Sequence, residues 1–295
     1  MHFKELPIIT EKQKEIVNLV FTFRFINRDQ IQRLFQHKDA RRINTWLRDL
    51  VRKGYVGRIY SHKLLENTKP AIYYLYNTGI IYERYRKGEA YQADYEQLAF
   101  KHMKKFYEDK HASRTFIDHC VAIAEFYTQL KEWERNNKEN IEYSCETKTE
   151  LWIQHQLHRY EDQDFNDIKQ IIPDLFIDKE TNLGEKNGTS QTFILELFDP
   201  HVPRYAIVHK IQQYMNMREH DSWREYTDMH NNLPTVLLIF PNYRKLNLIM
   251  GKIRNMFERN YDADPIVLQT TTLEKAMKEK ITDNRIWKQL KMEEE

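Results

Sequence analysis

Two short β-like runs, Ile172-Pro-Asp-Leu-Phe-Ile-Asp178 and Thr192-Phe-Ile-Leu-Glu-Leu-Phe198, each carry a carboxylate that an apolar strand has no packing reason to hold. Asp174 and Glu196 are therefore candidates for one acidic site, since Mg²⁺ needs only one or two protein carboxylates when water and phosphate supply its other ligands. In a hydrolytic site of that kind a lysine two residues beyond the second acid helps position or activate water and meets the charge that develops on phosphorus. Phe198 stands at that position. Cutting a phosphodiester would then need a cation from elsewhere, and Lys210 could supply it if a helix over 203–217 carries it back over the strands. Glu125, on an earlier helix, is a candidate third carboxylate. The alternative to a metal site is a pair of solvent-exposed carboxylates at strand ends, and an inactive frame is favoured over an active nuclease. Mg²⁺ is required only if the site cuts, and no other cofactor is expected.

Other chemistries find less support. His155, His158, His201, His209 and His220 fit no ligand triad and read as scattered surface residues. No glycine-rich phosphate loop and no Gly-x-Ser-x-Gly elbow is present. Cys120 and Cys145 are too few for a disulfide scaffold or a cysteine-based zinc site.

A second set of residues is basic. A helix from about Lys38 to Lys53 carries Ile43, Trp46, Leu47, Leu50 and Val51 as one apolar stripe, which turns Lys38, Arg41, Arg42, Thr45 and Arg48 outward. Arginine pairs bidentately with guanine in the major groove, while lysine and threonine more often hold phosphate. Arg58, His62, Lys63 and Lys69 lie on a following hairpin, where they would track the backbone or the minor groove.

The elements that must position these residues follow from periodicity. Glu11 to Phe23 is predicted as a helix capped by Thr10, Asn27 caps a second helix over Arg28–Gln36, and Gly54 ends the third. Two β-like runs, 55–60 and 71–76, come next, and Asn77-Thr-Gly79 is expected to close the unit. That order is a winged helix-turn-helix. Residues 81–137 form a helical connector, with a wide apolar stripe over 113–133 that could pack on a sheet or on a partner helix. Strands are expected at 141–147, 172–178, 192–198, 235–241 and 266–269, and helices at 203–217, 243–259 and 273–280. The fold class is thus α+β or α/β, divided as 1–80, 81–137 and 138–295, the last a mixed sheet with helices against it.

Charge distinguishes the halves. The net charge of +2 hides 22 Lys/Arg against 13 Asp/Glu in residues 1–110, and 24 against 31 in the remainder. A basic first part is the footprint of a polyanion binder. No apolar run spans a membrane and no signal peptide is read at the start, so a cytoplasmic protein without a membrane partner is expected.

Several pieces together resemble the replication-relaxation family of plasmid and mobile-element proteins. They are Ala40-Arg-Arg-Ile-Asn-Thr-Trp-Leu47, Tyr73-Tyr-Leu-Tyr-Asn-Thr-Gly79, a helix around His119, Pro173-Asp-Leu175, and Phe193-Ile-Leu-Glu196 followed by Lys210-Ile-Gln-Gln-Tyr214. The resemblance spans roughly 10–250. It implies DNA binding in plasmid replication, copy control or transfer, and a second half similar to the restriction-endonuclease-like PD-(D/E)xK fold. The family pattern has a further acid two residues past the glutamate, where this chain has Phe198, with Asp199 one position later. The expectation is a sequence-specific double-stranded DNA-binding protein, a homodimer without catalysis, acting at a plasmid or phage origin. The alternatives are a Mg²⁺-dependent nickase or nuclease using Asp174, Glu196 and Lys210, and a repressor of a mobile-element operon.

Overall fold

A computed structural model of the chain describes residues 5–60, 68–91, 103–137, 141–153, 171–181, 189–216, 234–259 and 266–290. Contacts divide the chain into two units, 1–128 with 149–163, and 129–148 with 164–295.

The first unit begins with α1 (Glu11–Phe23), which starts where a capping box forms. The Thr10 side chain accepts from the Gln13 N–H, and Gln13 in turn accepts from the Thr10 N–H at 2.9 Å. The same device recurs at Asn27 and Gln30, at the head of α2 (Arg28–Leu34). Helix α3 (Ala40–Arg52) is capped by Asp39 and stops at Gly54, whose φ of +73° few other residues adopt without strain. Strands β1 (Phe25–Asn27), β2 (Val56–Ile59) and β3 (Ile72–Leu75) form an antiparallel sheet in the order β1-β3-β2. This is a winged helix. Strand β1 is absent from the sequence-based expectation because three residues are too short to show alternation, yet Phe25 and Ile26 are fully buried.

Asn77-Thr-Gly79, bonded back to the winged helix through the Thr78 N–H and the Gly54 carbonyl, opens α4 (Asn77–Tyr91). Gly79 is needed for close approach rather than for a turn, since a Cβ there would lie 2.1 Å from the Tyr55 carbonyl oxygen. The connector continues through a 3-10 turn (Asp109–His111) into α5 (Arg114–Asn136). Ile117 and Cys120 of α5 pack in one core with Phe25 and Ile72 of the winged-helix sheet. The apolar stripe is therefore consumed inside the chain: Ile117, Cys120, Ile123, Ala124, Phe126 and Leu130 are all buried. Arg24, at a φ of 62°, turns the chain out of α1, ion-pairs with the buried Asp109 and lies 4.6 Å over the Phe116 ring.

The second unit is built on a six-stranded sheet of β4 (Ile141–Thr147), β5 (Leu175–Thr181), β6 (Thr189–Leu197), β7 (Thr235–Phe240), β8 (Leu268–Thr272) and β9 (Lys288–Gln289), in that spatial order. Strands β4, β5 and β6 run antiparallel to their neighbours, β6, β7 and β8 run parallel, and β9 is antiparallel. Helices α6 (Arg204–Asn216) and α7 (Tyr243–Arg259) make the crossovers, pack on each other, and are followed by α8 (Leu273–Glu279). Every residue of β7 is buried, as expected of a parallel strand covered on both faces. The unit is a mixed α/β sheet of the restriction-endonuclease-like kind. Strand β5 starts at Leu175 rather than Ile172, because Pro173 has no N–H to give to a ladder. Among the described residues no helix is long and apolar enough to cross a membrane.

Candidate functional site

Helix α3 presents the basic face that its spacing predicted. Ile43, Leu47 and Leu50 are buried, while Arg41, Arg42, Thr45 and Arg48 are exposed, with Lys38 exposed just ahead of the cap. Two details shape the charge of this face. The Arg42 guanidinium lies 5.6 Å over the Trp46 ring, which restrains it at little cost in hydration. Asp49, the helix's own carboxylate, accepts from Gln13 of α1 at 2.8 Å and from Lys53, the C-cap of its own helix, at 2.6 Å. Those bonds, Lys53 first and Gln13 next, hold its pKa down to about 2. Asp39 is the other nearby acid, and its oxygen accepts the Arg41 N–H at 2.8 Å as the N-cap. Val51, predicted to lie in the apolar stripe, is partly exposed instead. On the wing, Arg58 is exposed with its guanidinium 5.8 Å over Tyr60, and Lys69 is exposed; His62 and Lys63 fall outside the described residues.

In the second unit the two acids meet. Strands β5 and β6 pair Leu175 with Leu195, so one step further along the ladder Asp174 stands beside Glu196. Both are 4% exposed, which rules out the reading of solvated strand-end carboxylates. Each is held by a lysine. Lys210 Nζ lies 2.9 Å from Glu196 Oε1 and also donates to the Ile172 carbonyl at 3.2 Å. Lys148 Nζ lies 3.1 Å from Asp174 Oδ1, and the Leu197 N–H donates to Asp174 Oδ2 at 3.0 Å. The Tyr214 hydroxyl donates to Glu196 Oε1. Burial, then the neighbouring Asp174 charge, push the Glu196 pKa upward, while Lys210, Lys148 and Tyr214 pull the other way.

Phe198 is buried, with its ring 5.2 Å from that of Phe240, so apolar packing fills the position where a strand lysine was expected. Helix α6 delivers the cation instead. Lys148 and Tyr214 were not anticipated, although a signal existed for each. Lys148 directly follows β4, whose register pairs Thr147 with Leu175, and Tyr214 is four residues from Lys210 on one helix face. Glu125 is not a third carboxylate of this cluster. It is bound in the first unit by Arg33 at 2.7 Å and by Gln30 at 3.2 Å. Among the described residues no group of three His, Cys, Asp or Glu side chains could hold a metal. His201 and His209 are exposed; His155, His158 and His220 lie outside the described residues.

As a donor set, two carboxylates reach the minimum for a weak Mg²⁺ site completed by water and phosphate. Asp174 and Glu196 would be its protein ligands, and a bound Mg²⁺ would supply charge stabilisation at a phosphate.

Residues 18–233 match the family model described as Replication-relaxation. The chain belongs to the replication-relaxation family. No curated protein and no solved structure matches it. The pieces that resemble this family converge in space: Pro173-Asp-Leu175, Phe193-Ile-Leu-Glu196 and Lys210-Ile-Gln-Gln-Tyr214 contribute Asp174, Glu196, Lys210 and Tyr214 to one cluster.

Proposed function

We propose that this replication-relaxation protein binds double-stranded DNA in a sequence-specific manner through α3, acting at the origin or in the control of a plasmid or phage replicon. The observation that carries the proposal is the outward face of α3, where Arg41, Arg42, Thr45 and Arg48 are exposed while the Asp49 carboxylate is bonded to Gln13 and paired with Lys53. In a winged helix that face enters the major groove and the wing lies along the backbone, which gives Arg58 and Lys69 phosphate contacts. Selection of bound sequences from a random duplex pool tests it. Enrichment of a defined site, abolished by Arg41→Ala with Arg42→Ala, is the expected result; a pool without enrichment would refute specificity. Footprinting on the cognate replicon separates an origin from an operon promoter, and so from the repressor reading. Pairing of winged helices on palindromic sites favours a homodimer. The buried α5 stripe no longer argues for one, and the mass of the DNA-bound species decides.

A second reading is favoured by one observation, the arrival of Lys210 at Glu196. With Asp174 beside them, the three residues have the composition of a phosphodiester-cleaving centre whose lysine has moved from strand to helix. Lys210 would orient water or meet negative charge on a scissile phosphate, and Tyr214 would hold the Glu196 carboxylate in place. Supercoiled plasmid incubated with Mg²⁺ or Mn²⁺ tests this reading. Nicking lost in Asp174→Asn and Lys210→Met under conditions where circular dichroism shows both variants still folded would establish an enzyme, and intact supercoils with the wild-type chain would leave the cluster a structural one.

A further inference from the structure

The second unit carries a basic, aromatic surface that the acidic cluster does not use. Helix α6 contains no Asp or Glu, and the single carboxylate of α7 is Glu258 in its last turn. In a half of the chain where acids outnumber bases, that segregation is marked. Tyr205 on α6 is 75% exposed and Tyr243 on α7 is 51% exposed, both in the first turn of their helices. Exposed basic side chains adjoin them, Arg204 next to Tyr205 and Arg244 next to Tyr243, and Lys252 and Arg254 are exposed more than two turns further along α7.

The two tyrosines are held in a common frame. Helices α6 and α7 are successive crossovers between parallel neighbours β6, β7 and β8, so they run side by side and start at the same end of the sheet. Lys245 clamps that end, donating to the carbonyls of Pro200 and Val202 at 2.6 Å each and of Asp199 at 3.3 Å. The loop leading into α6 is thus tied to the first turn of α7. Lys275 of α8 adds a cation 5.9 Å from the centre of the Tyr243 ring.

Exposed aromatic rings set among cations, on two helices whose exposed faces carry no carboxylate among the described residues, with Asp199 beside Lys245 and Glu279 beside Lys275 as the nearby acids, suit a ligand that has both π-faces and a phosphate backbone. A duplex hides its base faces; a single strand offers them. An apolar protein partner would call for contiguous aliphatic surface, whereas here the rings are separated by charges. We propose that the α6–α7 face binds single-stranded nucleic acid, with Tyr205 and Tyr243 as stacking platforms and Arg244 and Lys252 as phosphate contacts. This site is independent of α3 and would engage DNA whose strands have been opened, or one strand beside a gap.

The test is fluorescence anisotropy of the full chain with labelled oligothymidine of about 20 nucleotides, a length that spans the site sizes of single-strand binders. Arg41→Ala with Arg42→Ala should leave this binding intact. Tyr205→Ala with Tyr243→Ala should weaken it at least about tenfold, Phe at both positions should restore it, and thermal melting should not change because both rings are exposed. Arg244→Ala with Lys252→Ala should lower the slope of log K against log salt by about 1.4. Absence of oligothymidine binding, binding indifferent to the tyrosines, loss with the α3 variant alone, or equal tyrosine-dependent binding of a non-cognate duplex would each overturn the proposal. The α3 reading is measured on a different probe, a selected duplex, and stands or falls separately.

Discussion

Helix α3 and the Asp174–Glu196 cluster use the same kinds of residue in opposite environments. On α3 the arginines are exposed, the helix's own carboxylate, Asp49, bonds Gln13 of another helix, and Asp39 is engaged as the N-cap. In the cluster both acids are 4% exposed and each is matched by a lysine within about 3 Å. Exposed charges add little to folding, since water already solvates them, and so they remain available to a ligand. Buried charges constrain the fold, because removing one partner strands the other in a poor solvent. The same substitution should therefore have contrary consequences in the two places, lost binding on α3 and lost stability in the cluster.

The largest effect is expected where the burial is deepest. Lys210→Met leaves Glu196 with Tyr214 as its remaining donor and should cost about 3–5 kcal/mol of stability, the usual penalty for breaking a buried pair from one side. That cost should depend on pH in a defined sense. Burial already raises the Glu196 pKa, and loss of Lys210 raises it further, so the folded variant binds its proton more tightly than the unfolded chain does. Stability linked to this proton is fully present below the unfolded carboxyl range and declines as pH rises through the folded pKa. Urea melts should show the Lys210→Met penalty growing from pH 5 to pH 8. A penalty under about 1 kcal/mol at pH 8 would mean that the cluster is open to water.

Next in size is the effect on α3, read on DNA rather than on the fold. Arg41→Ala with Arg42→Ala should shift urea stability by no more than about 0.5 kcal/mol, as for other exposed positions. Affinity for a selected duplex should fall by about 2 kcal/mol or more if both arginines read bases, at roughly 1–3 kcal/mol for each bidentate contact. Uniform weakening on all duplexes, with a shallower salt dependence, would show that they hold phosphate instead. Large unfolding in this variant would erase the contrast between the two regions.

Much of this architecture was legible from residue pattern, and the misses have physical causes. Helix α1, helix α7 and strand β4 occupy the residues that periodicity predicted, because each is long enough for its apolar spacing to repeat. The basic face of α3 was legible for the same reason. Strand β1 is invisible at three residues, and the close approach of the Tyr55 carbonyl to Gly79 is not legible because spacing does not reveal a backbone passing within contact of a residue. The stripe on α5 reads as apolar and fit to pack on a sheet or a partner helix, and of these the structure shows the sheet, with Phe25 and Ile72 covering Ile117 and Cys120; amphipathicity says that a face is covered and not by what. For the acidic cluster, Asp174 and Glu196 stood out as carboxylates in apolar strands, and Lys210 followed from asking where a missing cation could come from. Lys148 and Tyr214 needed strand register and helix phase, which only pairing in three dimensions supplies.

The smallest effect tests the claim that Asp49 belongs to the fold and not to the binding face. Its carboxylate accepts from Gln13, Lys53 and Arg52, which depresses its pKa to about 2. A folded pKa below the unfolded value stabilises the native state above the ordinary aspartate range, and that contribution is lost as pH falls through about 4 toward about 2. Asp49→Asn should thus cost about 1 kcal/mol near neutrality, within the range for a charge-assisted hydrogen bond, and the cost should shrink on acidification toward pH 2. Duplex affinity should stay the same or rise slightly, since an acid next to Arg52 has been neutralised without touching Arg41, Arg42 or Arg48. If affinity instead fell in step with stability, Asp49 would be positioning the recognition face through α1, and the separation between a binding surface and a folding interior would not hold along this helix.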